Sequence, residues 1–115
     1  FFNWLTDENL SVEEANKKMV EKVMPTLPIK ISETTTWVSI KANKKTIIYG
    51  YNFSLNSDQI NLKVTEENLR KEYRDGLCKG DYLVALKQGT IFKYAYMSAD
   101  QKKVLDIVFN EQSCW

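Results

Sequence analysis

The chain has 115 residues, 43% of them apolar, which is enough to bury one core in one domain. Sixteen Lys and Arg against fifteen Asp and Glu leave a formal charge of +1, without the basic stripe that nucleic acid selects. Histidine is absent, which removes His-dependent triads and the commonest nitrogen ligand for a metal, so neither a metal site nor a cofactor is expected.

Two cysteines, Cys78 and Cys114, are too few for a four-cysteine cluster. They leave two free thiols or one disulfide; the disulfide is the expectation, and it implies an oxidising compartment. No run approaches the roughly eighteen apolar residues that a bilayer span requires. The sequence opens at Phe1 without an initiator Met, so a leader, anchor or tag is expected to lie outside it.

Residues 1–10 are read as a tether or strap, because Phe1-Phe2-Asn3-Trp4-Leu5 is apolar for a terminus, and residues 11–115 as a single domain. Ser11-Val12-Glu13-Glu14 is a capping box that starts a helix. Val12, Ala15, Met19, Val20 and Val23 form its apolar face, and Pro25 ends it. After Pro28 the apolar period becomes two. Ile29 and Ile31 suggest a short strand, and from Thr36 to Ala42 the residues Val38, Ile40 and Ala42 alternate with Trp37, Ser39 and Lys41. Asn43-Lys44-Lys45 turns the chain into a return strand, Thr46 to Leu55, that carries Ile47, Tyr49, Tyr51, Phe53 and Leu55 on one face.

Ile60, Leu62 and Val64 alternate briefly, and Thr65 is expected to cap a central helix with Glu66 and Glu67 in its first turn. Leu69, Tyr73 and Leu77 form its buried face, and Gly76 weakens its end. Gly80-Asp81 restarts a shorter helix, Tyr82 to Lys87, which Gly89 closes. Thr90 to Met97 and Lys103 to Asn110 pair about a polar turn, with Phe92, Tyr94 and Tyr96 on the same face as Leu105, Ile107 and Phe109. The order gives an α+β fold: an antiparallel sheet of about four main strands in two hairpins, packed against an N-terminal helix and a central helix plus short helix. The strand order is not fixed by this reasoning.

Catalytic motifs are absent: there is no Gly-x-Ser-x-Gly, no phosphate-binding glycine loop and no Cys with a His to activate it. A carboxylate enzyme would need Asp106 and Glu33 to meet in a cleft, and the chain is read as non-enzymatic. The stronger signal is the sheet face opposite the expected core, where Trp37, Ile48, Ile91, Met97, Val104 and Val108 are too apolar to meet water alone. Either the first helix with Phe1 to Leu5 covers them, or they receive a helix or strand from another protein.

A helix followed by Leu27-Pro28-Ile29, a hairpin, a helix ending in Leu77-Cys78, a short helix closed by Gly89 and a final hairpin ending at Cys114 together resemble the small α/β pilotins of type II secretion. The resemblance runs from Ala15 onward. It implies a disulfide-bonded periplasmic domain, tethered to the outer membrane by lipid, that binds a segment of the secretin and assists its delivery. No cysteine lies near Phe1 to carry such a lipid. The alternatives are an inhibitor or immunity protein that blocks a hydrolase or toxin through a protruding loop, and a structural subunit of an envelope complex.

Overall fold

The computed structural model describes residues 11–114, so the N-terminal tether or strap lies outside the described residues. Ser11 caps α1 (Val12–Val23): its hydroxyl accepts from the Glu14 amide at 3.2 Å and donates to the Glu14 carboxylate at 3.0 Å. Pro25 falls in a 3₁₀ turn, Met24–Thr26, that closes the helix, since proline has no N–H to continue the α-helical ladder. The buried stripe of α1 holds Ala15, Met19 and Val20, together with a polar member, Asn16. The Asn16 amide nitrogen donates to the Lys45 carbonyl and the Thr90 hydroxyl, both at 3.4 Å, which satisfies a side chain that would be costly to bury alone.

Three strands follow, β1 (Ile29–Lys30), β2 (Thr35–Asn43) and β3 (Thr46–Phe53), then α2 (Leu62–Leu77) and α3 (Gly80–Lys87), and finally β4 (Ile91–Met97) and β5 (Lys103–Phe109). The central helix starts earlier than the sequence suggests. Asn61, not Thr65, is its cap, accepting from the Val64 amide at 3.2 Å. Asn caps as well as Thr does, and Leu62 and Val64 belong to an exposed first turn rather than a strand. Glu66 and Glu67 therefore lie beyond that turn, and Glu66 pairs with Arg70 one turn on, at 3.1 Å. Gly89 ends α3 in the left-handed region, at φ 101°. The Gly89 amide bonds the Leu86 carbonyl and the Thr90 amide the Ala85 carbonyl, the paired closure that favours glycine at this position.

The sheet has five strands in the order β1-β2-β3-β4-β5. Both expected hairpins form, β2 with β3 and β4 with β5, as antiparallel pairs. β3 and β4 lie side by side and run parallel, so the sheet is mostly rather than wholly antiparallel. The cause is the crossover: α2 and α3 carry the chain back along the sheet before β4 enters, as a parallel neighbour requires.

All three helices pack on one sheet face. α1 sits on β2 and β3, and α2 against β5, and their apolar residues join Ile47, Phe92 and Ile107 in a single core cluster. The first helix therefore does not cover the opposite face, because its apolar stripe is used in this core. Cys78, just after α2, is disulfide-bonded to Cys114 in the closing 3₁₀ turn, with a Cα separation of 5.6 Å. The end of α2 is thus fixed to the chain that leaves β5.

Candidate functional site

Between α1 and α2 a groove of about 350 Å³ opens above the middle of the sheet. Its floor is Tyr49 and Tyr51 of β3 with Tyr94 of β4. Met19 and Val23 of α1 form one wall, and Tyr73, Gly76 and Leu77 of α2 the other. Trp37 closes one end.

The rings form a continuous stack. Tyr49 and Tyr94 have centroids 4.8 Å apart, and Tyr73 lies flat on Tyr94 at 3.9 Å. Trp37 packs at 5.6 Å from Tyr49 and 6.3 Å from Tyr51, and its indole N–H donates to the Ser39 carbonyl at 2.9 Å. The hydroxyls of Tyr73 and Tyr96 share a hydrogen bond. Burial pushes the phenols of Tyr49, Tyr51, Tyr73 and Tyr94 up, and that of Tyr96 up to about 12. The hydroxyls consequently stay neutral near neutral pH, each able to donate and accept. Glu72 is the charged group on the groove lining. Such a surface suits an apolar, aromatic-anchored segment with a few polar groups, not a charged substrate.

Gly76 gives the α2 wall its low profile. A Cβ built there meets no atom within 4 Å, so its position looks onto open space. A second, wider cleft of about 620 Å³ runs between α1 and β2, but its walls are mostly charged, with Glu13, Lys17, Lys41 and Lys44 around Val20 and Met24. The aromatic groove is the better binding surface of the two, because desolvated rings carry more contact energy than solvated lysines and glutamates.

The residues singled out in the sequence separate in space. The pairing of β2 with β3 passes from Trp37 opposite Tyr51 to Ser39 opposite Gly50, a bulge at Val38. The bulge inverts the alternation upstream, so Trp37 points to the helix-covered face and Val38 to the other, contrary to the strict period of two. Ile48, Ile91, Met97 and Val108 do share the outer face. Val104 occupies a second bulge, between the Tyr96–Leu105 and Met97–Lys103 pairs, and packs against the core cluster. Glu33 and Asp106 are not brought together: Glu33 lies in the β1–β2 connection, and Asp106, three strands away, is held by Lys93 at 3.6 Å and Lys103 at 2.8 Å.

Among the described residues no helix is long and apolar enough to cross a membrane, and no group of three His, Cys, Asp or Glu side chains could hold a metal. The groove residues Met19, Tyr73, Gly76 and Tyr82 were not marked by the sequence as a site. The signal for them is the placing of six tyrosines at the helix–sheet interface, four on β3 and β4 and one each on α2 and α3, where a dry core would carry phenylalanine or leucine.

No protein-family profile matches the sequence, and no curated protein is similar to it in sequence. Solved structures are similar in shape. The pilotin EpsS of the Vibrio vulnificus type 2 secretion system superposes with a TM-score of 0.73 at 17% identity, over 90% of this chain and 92% of that one. The chain shares the pilotin fold. The type II secretion system pilotin AspS of Vibrio cholerae gives a TM-score of 0.68 at 18% identity, again over 90% and 92%. A predicted secreted protein of Pseudomonas aeruginosa gives 0.71 at 20% identity, over 90% of this chain and 96% of that one.

Proposed function

We propose that this chain is a non-enzymatic protein-binding module of the bacterial envelope that, like a pilotin, binds a segment of a secretin through the aromatic groove. The observation that carries the reading is the groove itself: a ring-floored channel between two helices, with Trp37 at its end and no catalytic pair within it. An amphipathic helix or strand lying there would complete the layer over β3 and β4 that α1 and α2 leave open. The disulfide and the shared pilotin fold support an oxidising, extracytoplasmic location. Short connections favour a groove binder over an inhibitor with a protruding loop, since β2 and β3 are joined by two residues and β4 and β5 by five. A lipid tether to the outer membrane is part of the same proposal and would lie outside the described residues.

The test is calorimetry of the purified, oxidised chain against overlapping peptides that cover the secretin of the same cell. One peptide should bind with a negative heat-capacity change, the mark of buried apolar area. If every peptide and the intact secretin leave the chain unbound, the reading is wrong.

A further inference from the structure

The ring floor of the groove is shut. Tyr49 and Tyr94 are 8% and 4% exposed, so a segment laid in the groove meets few of their atoms. What shuts it is Tyr73 of α2, whose ring lies flat on Tyr94 at 3.9 Å and whose hydroxyl is hydrogen-bonded to that of Tyr96. One aromatic ring stacked on another is the contact that an aromatic side chain of a bound segment would itself make there.

The two walls are not equally fixed. α1 buries Ala15, Asn16, Met19 and Val20, and the Asn16 amide is bonded to Lys45 and Thr90. α2, although 16 residues long, buries Leu77 alone, and its first turn leaves Leu62 and Val64 37% and 48% exposed. It is held instead from beyond its ends. Upstream, the Ser57 amide and hydroxyl donate to the Asp100 carboxylate at 2.9 Å and 2.7 Å, and downstream Cys78 is bonded covalently to Cys114. An element with few buried apolar contacts opens at a lower free energy than a well-packed one, and the end that carries Leu77 and the disulfide is the end that stays.

We propose that α2 is a lid and Tyr73 its plug: α2 tilts about its disulfide-bonded end, Tyr73 leaves Tyr94 and Tyr96, and an aromatic side chain of the bound segment takes the vacated place. This rests on the groove being the binding surface and adds that the lid is closed in the unliganded chain. Tyr73 precedes Cys78 by five residues, about 7.5 Å along the helix axis, so a tilt of roughly 30° lifts its ring by about 4 Å, the thickness of one ring. Gly76, between the plug and the pivot, faces open space and does not obstruct the movement. A closed lid lowers the apparent affinity of every segment by the fraction of open chains, and a segment with a ring to replace Tyr73 regains the stack that opening gives up.

The experiment is hydrogen exchange and NMR on the oxidised full chain, with 4-methylphenol as the free counterpart of the plug. The α2 amides from Glu66 to Tyr73 should exchange at least tenfold faster than those of Met19 and Val20 in α1; equal protection would overturn the lid. Tyr73→Phe keeps the stacked ring and loses the hydroxyl bond, so exchange along α2 should quicken about fivefold in a folded chain, and unchanged exchange would overturn Tyr73 as the plug. Tyr73→Ala should bind 4-methylphenol at least tenfold more tightly than the unaltered chain, with shifts at the Tyr94 and Tyr96 rings. Equal affinity, or shifts confined to other residues, would overturn the replacement of one ring by another; should the alanine variant not fold, the phenylalanine variant decides. A secretin peptide that binds with the Tyr73–Tyr94 contact intact would overturn the lid and leave the groove as the binding surface. If no peptide binds while exchange and 4-methylphenol behave as stated, the lid stands and the proposed function falls.

Discussion

Replacing Trp37 by alanine separates what the groove contributes to folding from what it contributes to binding. Trp37 is half-buried, stacks at 5.6 Å and 6.3 Å on two tyrosines, and donates to the Ser39 carbonyl at 2.9 Å. A fully buried aromatic truncated to alanine costs about 3–5 kcal/mol. Trp37 falls below that, because one side of its ring faces the open groove: two ring contacts contribute about 0.5–1.5 kcal/mol each, and one hydrogen bond about 1 kcal/mol. Trp37→Ala should therefore lose about 2–4 kcal/mol, seen as a melting temperature lower by about 8–16 °C at roughly 4 °C per kcal/mol. Trp37→Phe keeps the stack and loses the hydrogen bond, so its loss should be about 1 kcal/mol. Thermal and urea unfolding with an unchanged m-value check both numbers. An alanine variant as stable as the parent would refute the packing described for the bulge. A Phe variant as damaged as the Ala variant would refute the assignment of most of the energy to stacking.

Reduction of the Cys78–Cys114 bond opens a loop of 36 residues' separation and should lower stability by about 4 kcal/mol, with no free thiol detected in the denatured, unreduced chain; two thiols would refute it. Hydrogen bonds from the Ser98 and Ser57 hydroxyls and the Ser57 amide hold the Asp100 carboxyl well below the usual carboxylate range. Its contribution is present above the unfolded pKa and is lost as the pH falls below about 4, so the melting gap between the parent and Asp100→Asn should narrow on acidification and not widen. The tyrosines behave in the opposite sense. Their raised pKa values stabilise the fold below about pH 10, and this stabilisation is lost at higher pH, so phenolate absorbance should rise well above pH 10 and together with loss of the near-ultraviolet circular dichroism; ordinary titration near pH 10 in a folded chain would contradict the burial described.

Periodicity made most of the fold legible. The Ser11 cap, the Gly89 closure and the aromatic alternation of β3 and β4 each follow from a local rule, and each appears where that rule puts it, although the Glu14 carboxylate reaches the Ser11 hydroxyl and not the amide a full capping box would use. What local rules could not reach were events that need a neighbour. Val38 loops out of β2 because Ser39 is the residue that pairs with Gly50, and that single bulge moves Trp37 from one face to the other. The parallel contact of β3 and β4 is set by how two helices fill one face, which neither strand encodes alone. Asn61 and Thr65 are both good caps, and the choice between them rests on the entry of the chain from Ile60. The groove was hidden for a related reason: Tyr49 and Tyr94 are buried as core residues are, and only the spacing of α1 from α2 brings a cleft over them and over the half-buried Tyr51.

The most direct measurement is secretin-peptide binding by a chain with the groove filled. Gly76 lines the groove on α2, and a side chain there enters open space, so Gly76→Phe should leave the fold intact. Phenylalanine has a better helix propensity than glycine by roughly 0.5 kcal/mol, which makes loss of stability an unexpected outcome. The account predicts a melting temperature equal to or above that of the parent, with binding of the secretin peptide reduced by at least about 30-fold, the loss of one anchor worth about 2 kcal/mol. Full affinity in a folded Gly76→Phe chain would contradict it, and would show that the partner does not lie in the aromatic groove.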